Sequence, residues 1–109
     1  MDETTEKAVR RFLSLIEVDF PVEGAYLFGS RARGSHGPDS DVDIAVLLDG
    51  PPGPLVDTAL AMTDVAYDVF LDTGTDISPL PVWLDEWEHP ERYASPRLLR
   101  EIAETGVRL

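Results

Sequence analysis

Three segments of the chain carry hydrophobic residues at the three- and four-residue intervals that predict amphipathic helices. The first helix is predicted over residues 4–17, the second over residues 55–71, and the third from Ser95 to a stop at Gly106. Ser95 followed by Pro96 is typical of a helix start, and glycine suits a helix end. The apolar face of the second helix is predicted to consist of Val56, Ala59, Leu60, Thr63, Ala66 and Phe70.

Three other segments have the residue pattern of β-strands. Residues 24–28 form a short apolar run, and residues 41–48 alternate between two faces. A third strand is predicted over residues 76–83, where Pro79 and Pro81 restrict it to a sheet edge or a short ladder. In the second strand, one face is predicted to carry Val42, Ile44, Val46 and Leu48, and the other Asp41, Asp43, Ala45 and Leu47. This order of elements predicts a small α+β domain.

Length and composition fit one small folded domain, predicted to span residues 1–109. A hydrophobic content of 43% is ordinary for a folded protein. The lack of cysteine excludes disulfides and thiolate metal sites, and no apolar run approaches the roughly 18 residues of a membrane span. The acidic N-terminus lacks the apolar segment of a secretory signal, which favours a cytoplasmic protein. A net charge of -12 disfavours general nucleic-acid binding because nucleic-acid backbones are anionic.

The stretch FGSRARGSHGPDSDVDIAVL, residues 28–47, places the chain's most basic segment directly before an acidic one. Gly29 and Ser30 follow a predicted strand, where glycine allows a tight turn whose backbone N–H groups can face a phosphate. Asp41 and Asp43 lie two residues apart on a strand, so both carboxylates project from the same face. Carboxylate oxygens suit Mg²⁺, and two such ions can neutralise a triphosphate. The stretch therefore predicts a site for an Mg²⁺-bound nucleotide.

The Gly-Ser pair at residues 29–30, ten intervening residues and Asp41-Val42-Asp43 together resemble a known signature. It is the GS-x10-DxD motif of the DNA-polymerase-β-like nucleotidyltransferases. The short chain is similar in particular to the minimal nucleotidyltransferases, which are often paired with a HEPT-domain protein. The resemblance covers residues 26–82 and implies the family's α+β fold, with a mixed or antiparallel sheet flanked by helices.

The resemblance implies roles for individual residues and a nucleotide substrate, ATP. The residues expected to contact the nucleotide phosphates are Gly29, Ser30 and Arg33. The carboxylates expected to bind Mg²⁺, two ions in all, and to carry catalysis are Asp41, Asp43 and Asp76.

The third carboxylate has rivals within the sequence. Asp76 opens the predicted third strand, which is where the family places this residue. Asp68 and Asp72 lie on the second predicted helix and would have to reach inward. Together with Asp64, their four-residue spacing more simply predicts an exposed acidic helix face.

The same resemblance implies transfer of AMP from ATP to a hydroxyl group of a protein, with release of pyrophosphate. The acceptor would be a HEPT-type toxin, often modified on tyrosine, which would make this chain the antitoxin. Larger members of the family append a substrate-binding domain for which 109 residues leave no room, so the acceptor is expected on another protein. Three alternatives stay open: transfer to a small molecule such as an aminoglycoside, neutralisation of the partner by binding alone, and a nucleic-acid-directed transferase, which the charge disfavours.

Other interpretations of these residues compete with a nucleotide site. A calcium loop beginning at Asp39 is excluded because Ile44 and Gly50 stand where such a loop requires glycine and glutamate. An acidic turn without a ligand is disfavoured because carboxylates within an apolar strand are costly without a partner. His36 fits a loop histidine better than a catalytic base. Arg31 and Arg33 fit a solvated surface pair as well as phosphate ligands, and by family position Arg33 is the better phosphate candidate.

Overall fold

The computed structural model describes residues 1–37 and 40–109 of the chain. Its elements are, in chain order, α1 (Glu3–Ile16), β1 (Val22–Phe28), α2 (Ser30–Arg33), β2 (Val42–Leu48), α3 (Leu55–Thr73), β3 (Ile77–Trp83), α4 (Leu84–Glu88), a 3-10 helix (Pro90–Arg92), α5 (Pro96–Thr105) and β4 (Val107–Arg108). The three predicted helices and the three predicted strands are all present. None of the helices formed by the described residues is long and apolar enough to cross a lipid bilayer.

Four strands form one mixed sheet in the order β3-β2-β1-β4. β1 runs antiparallel to both β2 and β4, whereas β2 runs parallel to β3. The parallel pair is joined by α3, since a parallel connection needs a crossover. The predicted α+β domain with a mixed sheet is therefore confirmed. β3 lies at the edge, and this position accommodates Pro79 and Pro81 because the outer side of the strand has no partner strand in the described sheet.

Helices cover both faces of the sheet and bury β2 between them. On one face, α1 and α3 pack against the even-numbered residues of β2, from Val42 to Leu48. On the other face, α5 and the segment before it pack around Ala45 and Leu47. The predicted division of the apolar residues of β2 between two faces is confirmed. Because β2 is held from both sides, the position of the aspartates at its start is fixed by the core.

The buried side of α3 differs from the predicted one. Met62, Ala66 and Val69 face the core, and of these the prediction included only Ala66. Four residues of the predicted apolar face are exposed: Val56, Leu60, Thr63 and Phe70. The physical reason is that α3 carries two neighbouring apolar stripes, so helical periodicity alone does not determine which one the sheet and α1 bury.

Several boundaries differ from the predicted ones. β1 starts two residues earlier than predicted, and β2 and β3 start one residue later, at Val42 and Ile77. Asp41 and Asp76 therefore immediately precede their strands instead of opening them. The segment 29–40, predicted as loop, contains the single helical turn α2. α4, the 3-10 helix and β4 were not predicted.

Candidate active site

The ends of three strands bring the predicted site residues to one edge of the sheet. β1 and β2 are antiparallel with Phe28 opposite Asp43, so the end of β1 meets the start of β2. β2 and β3 are parallel and start at the same level. The Val42 N–H donates a hydrogen bond to the Asp76 carbonyl oxygen at 2.8 Å. Asp41 and Asp76, far apart in sequence, thus lie next to each other at the starts of neighbouring strands.

Gly29 forms the turn after β1, and its surroundings require glycine. Its backbone angles, φ 72 and ψ -152, lie in a region that is essentially restricted to glycine. A Cβ atom added at this position would also overlap a carboxylate oxygen of Asp43. Ser30 then begins the short helix α2, and Gly34 follows its last residue, Arg33. Glycine therefore lets the chain pass directly beside Asp43 as it leaves the sheet.

The three aspartates at this edge influence one another electrostatically. Partial burial raises the pKa of Asp43 above its usual value, the charge of Asp41 raises it further, and the Arg33 guanidinium opposes both effects. Loss of hydration likewise raises the pKa of Asp76, and the charge of Asp41 and a hydrogen bond with it add to the shift. Asp41 is thus the common neighbour of the other two carboxyl groups. None of the three forms an ion pair with a basic side chain of the described residues.

This set of carboxylates has the chemistry of a divalent-cation site. Mg²⁺ prefers carboxylate oxygens, and a cation relieves the repulsion that raises the pKa values of neighbouring carboxyl groups. Asp41 is close to Asp43 on one side and to Asp76 on the other. Within residues 1–37 and 40–109, no three acidic or histidine side chains are gathered closely enough to hold one ion as they stand. The three aspartates therefore fit Mg²⁺ by their charge and by their ligand type. They form two pairs that share Asp41, one with Asp43 and one with Asp76.

A cavity of about 370 Å³ adjoins Asp76, and Arg31 helps to shape it. The Arg31 guanidinium donates to the Ser40 carbonyl oxygen at 2.9 and 3.2 Å, which ties α2 to the residue preceding Asp41. His36 also lines this cavity and is exposed. Sequence reasoning weighed Arg31 as a surface side chain or a phosphate ligand and missed this bridging role. The closeness of the basic and acidic clusters in sequence was the only signal for it.

Arg33 does not line the cavity that Arg31 lines; it lines a second, smaller one. That cavity, of about 120 Å³, is also lined by Gly29. The Arg33 guanidinium lies 3.8 Å from the Glu101 carboxylate of α5 in an exposed ion pair, an interaction that contributes little to stability. Its charge nevertheless offsets part of the rise in the pKa of Asp43 that burial and Asp41 cause. Arg33 is therefore near the carboxylates, and its role as a phosphate ligand stays a prediction.

The rivals of Asp76 lie away from this edge. Asp68 and Asp72 are both exposed on α3. The Asp72 carboxylate accepts a hydrogen bond from the Arg11 guanidinium of α1 at 2.7 Å and is thereby engaged in joining two helices. Asp39, considered above as the start of a calcium loop, lies outside the described residues. The geometry therefore favours Asp76 as the third carboxylate.

Comparison with known families identifies the class of protein. The nucleotidyltransferase domain family matches residues 7–92, which is most of the chain. This chain therefore belongs to the nucleotidyltransferase domain family. Members of the family generally use Mg²⁺ and a nucleoside triphosphate. No curated protein matches the sequence significantly.

Solved structures with the same fold include two from toxin-antitoxin systems. The crystal structure of a toxin-antitoxin with AMP-PNP aligns with a TM-score of 0.64 and 23% identity over 94% of this chain and 70% of that one. The crystal structure of a mutant of the toxin-antitoxin MntA-HpeT aligns with a TM-score of 0.60 and 24% identity over 93% and 70% of the two chains. A candidate nucleotidyltransferase from Sulfolobus solfataricus aligns with a TM-score of 0.52 and 22% identity over 82% of each chain. These likenesses confirm the predicted nucleotidyltransferase fold.

Substitution of Gly29 by alanine is expected to lower nucleotide transfer strongly while leaving the protein folded. The added Cβ would push the Asp43 carboxylate from its place, and the backbone would be strained as well. Transfer rates and thermal unfolding of Gly29→Ala should be compared with those of Gly50→Ala. Gly50 also has positive φ, at 92, but an added Cβ would meet no atom within 4 Å. Equal losses of activity in the two variants would contradict this account of Gly29.

Substitution of Asp41 by asparagine is expected to raise the melting temperature by a few degrees at pH 7 in metal-free buffer. The charge of Asp41 raises the pKa of both Asp43 and Asp76, so removing it relieves repulsion in the folded state. A carboxyl group with a raised folded-state pKa favours folding at low pH and loses that contribution as pH rises through the folded-state pKa.

The stabilisation by Asp41→Asn should accordingly shrink as the pH is lowered from 7 toward 4, because protonation of Asp43 and Asp76 relieves the same repulsion in the wild type. Thermal unfolding followed by circular dichroism in EDTA, at several pH values, measures both effects. A lower melting temperature for the variant at pH 7, or a difference independent of pH, would argue against mutual repulsion at this site.

Proposed function

We propose that this chain transfers AMP from ATP to a hydroxyl group of a partner protein and thereby acts as an antitoxin. The observation that carries the proposal is the meeting of Asp41, Asp43 and Asp76 at one sheet edge, beside the glycine turn. In the nucleotidyltransferase family, paired carboxylates next to such a turn have a direct chemical use. They can place a metal-bound triphosphate against an acceptor, and positioning with charge neutralisation supplies most of the catalysis in this type of transfer.

The transfer step can be written in terms of bonds and protons. The acceptor oxygen forms a bond with the α-phosphorus of ATP, and the bond from that phosphorus to the oxygen leading to the β-phosphate breaks. Pyrophosphate leaves with the electron pair, and the proton of the acceptor hydroxyl passes to a carboxylate. Asp76 suits this role because it lines the cavity of about 370 Å³ beside the site, from which an acceptor hydroxyl could approach its carboxylate.

The remaining residues bind and orient the substrate. Asp41, Asp43 and Asp76 would hold Mg²⁺, two ions by the family pattern, and the metal when bound neutralises charge on the phosphates. The backbone of Gly29 and the hydroxyl of Ser30 would contact the phosphates from the turn. Arg33, exposed beside Asp43, would add positive charge on the same side.

The nature of the acceptor is proposed from the structural neighbours. Two of them are toxin-antitoxin complexes, one of which was crystallised with AMP-PNP. A HEPT-type toxin carrying the modified hydroxyl, expected on a tyrosine, is consistent with this likeness. We expect residues 1–109 to act as one catalytic domain in the cytoplasm.

Labelled ATP tests this function directly. The chain and Mg²⁺ are incubated with a HEPT-type protein and with ATP labelled on either the α- or the γ-phosphate; the first protein to try is the product of any HEPT-type gene found next to this one. The α-label is expected on the HEPT-type protein and the γ-label in released pyrophosphate. Transfer of the γ-label to protein would indicate a kinase instead. A stable complex without any labelling would favour neutralisation by binding alone.

A further inference from the structure

The outer side of α3 carries a row of exposed apolar side chains. This row, the α3 stripe, consists of Val56, Leu60, Tyr67, Phe70 and Leu71. Their spacings of three, four and seven residues place them on one side of the helix. Leu60 is 59% exposed and Leu71 is 64% exposed, so the core of this chain does not cover them. Single exposed apolar residues are ordinary, but several of them on one side of a helix indicate an interaction surface.

One flank of the α3 stripe is acidic. Helical geometry places Asp57, Asp64 and Asp68 together on the side of α3 next to the stripe. None of them pairs with a basic side chain of the described residues, and α3 itself contains no lysine or arginine. With a net charge of -12, two copies of this chain would bring like charges together at such a surface. The charge therefore favours a partner with basic side chains around an apolar face.

The other flank of the α3 stripe opens toward the candidate active site. A groove of about 190 Å³ between α3 and β3 is lined by Tyr67, Phe70 and Asp76 among others. Phe70 and Asp76 also line the cavity of about 370 Å³ described above. The rings of Tyr67 and Phe70 are stacked with their centroids 6.4 Å apart at this junction. A protein bound to the stripe would consequently lie next to Asp76.

We infer that the α3 stripe is the docking surface for the acceptor protein. Its partner would present an apolar face with basic residues opposite Asp57, Asp64 and Asp68. This inference rests on the proposed function, in which the partner is a HEPT-type toxin. Docking on the stripe brings the acceptor hydroxyl to the site from the Asp76 side, while the nucleotide phosphates occupy the side of the Gly29 turn.

The test compares a stripe variant with a control at an exposed apolar residue outside the stripe. In Leu60→Ser/Leu71→Ser the stripe is interrupted away from the carboxylates, whereas Val18→Ser changes an exposed apolar residue (80% exposed) outside it. Binding of the HEPT-type protein and of Mg²⁺-ATP is measured separately by calorimetry. The stripe variant is expected to bind the protein about tenfold or more weakly and ATP normally. The Val18→Ser control is expected to match the wild type in both.

A charge reversal tests the acidic flank. Asp64→Arg is expected to weaken binding of the HEPT-type protein and to reduce its dependence on salt, since opposite charges would no longer attract. Glu104→Arg, at an exposed acidic residue of α5, makes the same change in net charge and should have little effect.

The outcomes separate this inference from the proposed function. Normal protein binding by the stripe variant overturns the docking surface, and so does a wild-type chain that binds no HEPT-type protein. Sedimentation showing a wild-type dimer that Leu60→Ser/Leu71→Ser dissociates would assign the α3 stripe to self-association instead. If wild type binds the partner through the stripe but transfers no AMP, the docking surface stands and the proposed transfer fails.

Discussion

Replacing Asp41 and Asp43 together with asparagine is expected to reduce AMP transfer by roughly 10³-fold or more, the scale on which loss of charge-stabilising groups slows phosphoryl-type transfer. Asparagine keeps the size of the side chain but removes the negative charge that would hold Mg²⁺. The fold should persist because the core around β2 is formed by its apolar residues, which are untouched. Relief of the repulsion on Asp76 should leave the variant at least as stable as the wild type in metal-free buffer.

Transfer of α-labelled phosphate to the partner measures the loss, and circular dichroism with thermal unfolding measures the fold. A matched control is Asp19→Asn/Asp49→Asn, which removes the same number of charges from exposed residues at the opposite edge of the sheet. The two residues lie where β1 begins and β2 ends, and there the Asp49 N–H donates a hydrogen bond to the Pro21 carbonyl oxygen at 2.9 Å. Normal transfer by the Asp41/Asp43 double variant, in Mg²⁺, would contradict the assignment of the site.

Replacing Asp76 with asparagine is expected to slow transfer by roughly 10²-fold or more, as loss of a general base and metal ligand together would. The reason is its place at the start of β3, where its carboxyl group lies beside that of Asp41 and carries a raised pKa. Asp68→Asn and Asp72→Asn serve as controls on α3. They remove the same charge nearby and are expected to leave the rate of transfer at saturating partner within about twofold of wild type.

Rates should be measured at saturating ATP and partner, because Asp68 borders the α3 stripe and its loss can weaken binding of the partner. A pH profile adds a second readout. If Asp76 accepts the proton, the wild-type rate in Mg²⁺ should fall as the pH drops through the pKa of the Asp76 carboxyl group, and the residual rate of Asp76→Asn should lose that dependence. Normal activity in Asp76→Asn with a large loss in Asp72→Asn would show that the third carboxylate comes from α3.

The elements that sequence patterns predicted well are those with long, regular periodicity. The spacing of apolar residues in α1 and the alternation along β2 each extend over enough residues to define the element. The proximity of Gly29 to Asp43 follows from an antiparallel strand pair joined by a loop. The position of Asp76 beside Asp41 depends instead on the parallel pairing of β2 with β3. That pairing is a long-range register, which no local pattern specifies.

The features that were missed are short or depend on tertiary contacts. α4 and the 3-10 helix are single turns, and β4 consists of two residues that pair with Tyr26 and Leu27. Such elements are too short to show a hydrophobic period in the sequence. Their positions are determined by tertiary contacts with the sheet and with α5. The prediction of which side of α3 is buried was wrong because the helix has apolar residues on two adjoining sides. For the same reason, only the structure shows that Leu60 and Leu71 lie on the exposed side of α3.

The most direct test of AMP transfer is the intact mass of the HEPT-type protein after co-expression with this chain. With the wild-type chain, the partner is expected to gain the mass of one or more AMP groups, located on a hydroxyl-bearing residue by peptide fragmentation. With Asp41→Asn/Asp43→Asn, the partner should still form a complex with the chain and keep its unmodified mass. An unmodified partner in the presence of the wild-type chain, or an equal mass gain with the double variant, would contradict the account.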